Sequence, residues 1–160
     1  MVRHEQVAPT DYKSVNMSTH QAIVHEAQTS AQISLCFAVM SQLRPAYTQD
    51  GFVQGVFEQQ PEGYRLAYLE VAGVVVATAG FRVTRCLAWG KFLYVDDLIT
   101  DAAQRSKGYG KQLLNWLRDE ALRLGCSQLH LDSGVQRKDA HRFYLRMNME
   151  LNSYHFAQRL

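Results

Sequence analysis

Alternating and near-helical apolar spacings follow one another along this chain, and each change of period marks a new element. Gln21 to Ala27 reads as a strand; Thr29 or Ser30 then caps a helix running to about Leu43, which Pro45 ends. Asp50 to Gln59 spaces Phe52, Val53, Val56 and Phe57 for a second short helix before the turn Pro61-Glu62-Gly63. Tyr64–Val71 and Val74–Thr84, joined at Ala72-Gly73, predict a β-hairpin, and Phe92–Thr100 a fourth strand. Leu113, Leu114, Leu117, Ala121 and Leu124 then share one face of an amphipathic helix, with a turn at Gly125 and a strand over Ser127–Asp132. In Asp139–Met149 the residues Ala140, Phe143, Tyr144 and Met147 follow i, i+3, i+4, i+7 spacing, so one face of a short helix packs inward. The tail, Glu150 to Leu160, is expected to add one or two strands, on a weaker pattern.

Strand, two helices, three antiparallel strands, helix, strand and helix is the order of a mixed α/β sandwich. With 160 residues, 47% apolar and 20% charged, the chain suffices for one domain with a proper core, assigned to residues 20–160. Residues 1–19 carry Arg3, His4, Glu5, Asp11 and Lys13 and no continuous apolar run; they read as a poorly ordered leader rather than a signal peptide. The longest apolar run, Val71 to Phe81, is too short to span a bilayer, so no membrane role is expected. A net charge of +2 without a Lys/Arg cluster argues against a nucleic-acid partner. Cys36, Cys86 and Cys126 are odd in number and lack metal-ligand spacing, which points to a reducing, cytoplasmic setting and to no metal.

Arg105-Ser106-Lys107-Gly108-Tyr109-Gly110 joins the end of a strand to the start of a helix. A glycine-rich turn there aims unpaired N–H groups and the positive helix end forward, and Arg105, Lys107 and Lys111 add charge, so a phosphate or pyrophosphate is the natural occupant. A dinucleotide fingerprint fails because Leu113 stands at its third glycine; a P-loop fails because Gln112 follows Gly110-Lys111. Taken alone, the six residues fit equally a plain turn in which glycine relieves crowding.

The surrounding residues extend the pattern. Arg-x-x-Gly-x-Gly after Asp96-Asp97-Leu98-Ile99-Thr100, followed by Ala140, Phe143 and Tyr144, resembles the acyl-CoA-binding and Asn-x-x-Ala-x-x-Phe-Tyr-x-x-x-Gly-Phe motifs of the GNAT superfamily of N-acyltransferases. The likeness runs from about Phe92 to Met149, with Arg137 in place of the usual Asn and Asn148 in place of the Gly. It implies a single mixed, largely antiparallel sheet of six or seven strands, splayed where coenzyme A enters and flanked by about four helices. It implies acetyl-CoA as cofactor, backbone contacts from Leu98, Ile99 and Thr100 to thioester and pantetheine, and phosphate contacts from Arg105, Ser106, Lys107, Gly108, Tyr109, Gly110 and Lys111. Arg137 would reach a phosphate, and the Tyr144 hydroxyl would protonate the leaving thiolate. A small-molecule or peptide amine is the implied acceptor, and a homodimer through terminal strands is common in such proteins.

A thioester is already activated, so direct transfer needs a positioned amine, a sink for its proton and a donor to the thiolate. An alkylamine with a pKa of about 10.4 is neutral in only about one molecule per thousand near pH 7.4, so a base has work to do. Asp96 is the candidate, through water, if a bulge lets it face the cleft; the other reading is that Asp96 and Asp97 bind Arg side chains and hold the strand end. His25, His130 and His141 fit solvated or core roles better, and His155 in the tail has no supporting pattern. The reading is an acetyl-CoA-dependent N-acetyltransferase of a primary amine; the alternative is a non-catalytic acyl-CoA-binding or sensor module.

Overall fold

Short polar caps set the two N-terminal helices. In a computed structural model of the chain, describing residues 21–160, the strand β1 (Ala22–Ala27) leads into α1 (Ser30–Met40). Thr29 and Gln32 form a reciprocal capping box at its start, and the helix ends three residues before the predicted Leu43, in turns that carry the chain to Arg44. Thr48 caps α2 (Gln49–Gln59) by accepting from the Gly51 amide. The strands β2 (Tyr64–Val71) and β3 (Val74–Cys86) meet at Ala72 (φ 52°) and Gly73 (φ 79°), the left-handed pair of a type I′ hairpin. Next come β4 (Gly90–Thr100), α3 (Tyr109–Arg123), β5 (Gln128–Leu131) and α4 (Lys138–Arg146). The β3–β4 hairpin is longer than its apolar runs suggest, because Arg85 and Cys86 pair with Lys91 and Gly90 through backbone alone.

The sheet order is β1-β2-β3-β4-β5, antiparallel except for the last pair. Among the described residues it has five strands, not six or seven: Glu150 to Leu160 forms no strand, and Leu151, Tyr154 and Phe156 stand exposed. The tail does not alternate cleanly, and the free edge of β5 offers only four residues to pair with. The leader expected at 1–19 lies outside the described residues.

Each face of the sheet has its own apolar layer. Ala67, Leu69, Ala79, Phe81, Leu93 and Val95 pack against Leu113, Leu114 and Leu117 of α3, while Leu66, Tyr68 and Ile99 pack against α1 and α2. Fully burying such a side chain is worth about 2 kcal/mol. On the α3 face Arg65 bonds Glu26 and Glu120, with its guanidinium 4.8 Å from the Phe81 ring centre. Hydrogen bonds from Arg123 and then Arg65 hold the Glu120 carboxyl down at about 2 against the opposing effect of burial. A carboxyl whose folded value lies below its ordinary 4.5 stabilises fully above that pH and loses the effect as pH falls toward 2. Urea unfolding should therefore show stability dropping between pH 4.5 and 2, and Glu120→Gln should be less stable at pH 6 with a shallower acid slope. Parallel slopes for the two proteins would refute this.

Candidate active site

The glycine loop keeps its backbone donors free. Asp101 closes the end of β4 by donating its amide to Val76 (2.9 Å) and caps the single turn Ala102–Gln104. Arg105 is then extended, Ser106 (φ 64°) and Gly108 (φ 84°) are left-handed, and α3 starts at Tyr109. The first bonded amide is Gln112, which donates to Gly108 at 3.0 Å. Every amide from Arg105 through Lys111 is without a partner among the described residues, and Gly108 supplies no capping side chain. Alternating left-handed residues ahead of a helix dipole make a concave nest of N–H groups, the geometry that binds anions. Lys107 donates to Gln104 (2.8 Å), and the side chains of Arg105 and Lys111 are exposed beside the nest.

Gly110 joins this loop to the rest of the site. A Cβ there would stand 3.1 Å from the Thr100 hydroxyl and 3.7 Å from the Phe143 ring, so the loop, the end of β4 and α4 meet at one point. Tyr144 follows Phe143, with ring centres 5.4 Å apart. The phenol therefore lies on the glycine-loop side of the molecule.

Between them the sheet opens. β5 pairs with β4 only from Phe92 to Val95, so among the described residues β4 has no neighbour on that edge from Asp96 to Thr100. Because the Asp101 amide points to β3, strand alternation turns those of Leu98 and Thr100 into the opening and that of Ile99 toward β3. The Ile99 side chain is buried on the α1–α2 side.

The bulge expected in β4 is present: Gly80 pairs with Asp97 and Phe81 with Val95, which leaves Asp96 as the extra residue. It brings both carboxylates to one face. Arg82 donates to Asp96 (3.0 Å), Arg44 to Asp97 (2.7 Å), and the hydroxyl of Tyr64, the register partner of Arg82, to Asp97 (3.1 Å). Burial pushes the Asp96 carboxyl up, opposed by Arg82 and assisted by Asp97. The alternative reading that Asp96 and Asp97 bind Arg side chains is thus what the structure shows; which residues do so, Arg82 and Tyr64 through strand register and Arg44 from the turn after α1, the sequence did not indicate, apart from Gly80 inside an apolar run.

Tyr144 is half-buried, as are Ala140, Phe143 and Met147; no residue of α4 is fully buried, because this nine-residue helix lies over the open end of the sheet. Burial raises the Tyr144 phenol above its ordinary 10, and the Arg137 charge opposes the shift. Arg137 is exposed at the start of α4. Asn148 (φ 60°) takes the left-handed place after the helix, with Met149 donating to Tyr144 (3.1 Å) and Asn148 to Leu145 (3.1 Å), as in a Schellman cap. Among the described residues no three His, Cys, Asp or Glu side chains converge as a metal site, and no helix is long and apolar enough to cross a membrane.

The splayed mixed sheet, with helices on both faces and an open β4 edge, has the fold of an N-acetyltransferase. The chain belongs to the acetyltransferase (GNAT) family, whose model matches residues 31–149. It is 38% identical over 124 residues to the uncharacterized N-acetyltransferase YhdJ of Bacillus subtilis, covering 76% of this chain and 87% of that one. It is 28% identical over 137 residues to the aminoalkylphosphonate N-acetyltransferase of Salmonella typhimurium, covering 84% and 86%. Aminoglycoside N-acetyltransferase AAC(6')-Iy, solved in complex with CoA, superposes with a TM-score of 0.77 at 13% identity, over 88% of this chain and 95% of that one.

Proposed function

We propose that this enzyme transfers an acetyl group from acetyl-CoA directly to a primary amine. The observation that carries the reading is the run of free amides from Arg105 to Lys111, packed through Gly110 against the helix that bears Tyr144. These residues fit coenzyme A: the nest and its flanking Arg105, Lys107 and Lys111 suit a diphosphate, Arg137 suits a further phosphate oxygen, and the open edge of β4 suits an amide-bearing arm. Acetyl-CoA, when bound, supplies a thioester already activated toward amines.

The chain's own groups do the rest. The Leu98 and Thr100 amides hold the arm and the thioester oxygen, donors of a kind worth about 3 kcal/mol each in acyl-transfer sites, while Ile99 anchors that edge in the core. Tyr144, its proton retained by burial, donates to the leaving sulfur as general acid. Asp96, held by Arg82, accepts a proton from the acceptor nitrogen through water. The acceptor is a small-molecule or peptide amine entering from the α1–α2 side, where both carboxylates lie. Three free cysteines suit a reducing compartment and support action in the cytoplasm. The apolar tail residues and the open β5 edge support a homodimer.

Purified protein given acetyl-CoA and a panel of amines, including aminoalkylphosphonates and aminoglycosides, should release free thiol with at least one acceptor well above the amine-free rate. Coenzyme A binding by calorimetry without thiol release across the panel would point instead to a binding or sensor module.

A further inference from the structure

The tail, which forms no strand, brings one side chain back to the sheet. His155 shares a hydrogen bond at 3.0 Å between its Nδ1 and Oδ2 of Asp132, and the Tyr94 hydroxyl donates to the same oxygen at 2.7 Å. Asp132 is the first residue past β5, beyond the last β4–β5 pair (Val95 with Leu131), so it stands where the two strands begin to part. Tyr94 lies on β4 two residues before Asp96, and the charges of Asp96 and Arg82 both act on its phenol. We propose that Asp132 and His155 form a dyad at the apex of the opening, in which Nε2 of His155 takes the first proton from the acceptor ammonium. This rests on the acetyl-transfer reading given above.

The chemistry calls for such a group. An ammonium must lose two protons to become an amide nitrogen, and the site as described offers Asp96 for only one of them. Asp96 is also engaged by a permanent cation, Arg82. A neutral imidazole with one ring nitrogen free is the side chain most often used as a general base. Asp132 accepting at Nδ1 fixes the tautomer that leaves Nε2 with its lone pair outward, and Tyr94 fixes Asp132 in turn. Nε2 has no partner among the described residues, and the side chain is 66% exposed, open to an incoming amine.

The protons and bonds balance. The first ammonium proton passes to Nε2 and on to water. The nitrogen lone pair then forms the C–N bond while the C–S bond breaks. The second nitrogen proton leaves through water to Asp96, and Tyr144 gives its proton to sulfur and recovers one from solvent. One proton is released overall.

The groups that face the imidazole and its partner are Asp132 after β5 and Tyr94 on β4. His130 on β5 also feels the Asp132 charge, and Asp96 and Arg82 stand behind Tyr94. His155→Gln should lower kcat/KM for the amine at least tenfold at pH 7. The loss should shrink toward pH 9, where free amine is more abundant, and coenzyme A affinity should not change. Added imidazole should partly restore His155→Ala, and Asp132→Asn, which no longer fixes the ring tautomer, should lower kcat/KM severalfold without changing coenzyme A affinity. An active wild type whose His155 variants run parallel to it at every pH would overturn the dyad alone. A wild type that turns over no amine would overturn the acetyl-transfer reading, and the dyad with it.

Discussion

Tyr144→Phe should lower kcat about a hundredfold while leaving coenzyme A affinity within twofold of wild type. The substitution removes one hydroxyl and keeps the ring that packs beside Phe143, so helix α4 and the Gly110 contact remain in place. What is lost is the proposed proton donor at the sulfur, and general acid catalysis contributes about 10²–10⁴-fold. Because burial raises the phenol above 10, Tyr144 stays protonated throughout the neutral range, and no alkaline loss of activity below pH 10 should belong to it. Steady-state thiol release beside calorimetric coenzyme A binding separates the effects. A variant with kcat within twofold of wild type would remove Tyr144 from its role.

Gly80→Ala should cost about 3 kcal/mol of stability, the upper range for overpacking a well-packed interior. A Cβ at Gly80 would lie 1.9 Å from the Tyr64 hydroxyl and 2.4 Å from its ring carbon Cζ. Tyr64 is 4% exposed and crosses β3 at this residue to reach Asp97, so the ring must leave a buried seat and surrender its hydrogen bond. At about 2–4 °C per kcal/mol for a chain of this size, the melting temperature should fall by roughly 10 °C. The acidic pair should suffer too, since Asp97 would keep only Arg44. Paired with Tyr64→Ala, which empties the seat, Gly80→Ala should cost much less than it does alone. A melting temperature unchanged by the single substitution would contradict the crossing geometry.

Both effects arise where a local pattern meets a long-range contact, and this is where the sequence ceases to be readable. Elements with strong periodicity were legible: α3 through Leu113, Leu114 and Leu117, the β2–β3 hairpin through its apolar runs and Ala72-Gly73, and the loop through its glycines. The free amides of that loop follow from helix geometry, so sequence could suggest them. The bulge and Arg side chains on the two aspartates were both among the expectations, yet the particular partners were not legible, because Tyr64 and Arg82 reach them through strand register and Arg44 from the turn after α1. The tail shows the opposite failure. Tyr154 and Phe156 suggest strand character, but a strand needs a partner edge, and composition cannot say whether the short β5 edge is taken. His155, unremarkable in sequence, acquires a partner only once the end of β5 is placed beside it.

The most direct test of the proposed phosphate nest is to follow backbone amide resonances while coenzyme A is added. The signals of Ser106 to Lys111 should move together and most strongly, with Leu98 and Thr100 next, and pantetheine, which lacks the diphosphate, should leave the loop signals nearly still. Loop amides that stay in place at saturating coenzyme A, while signals elsewhere shift, would contradict the binding mode and the assignment built on it.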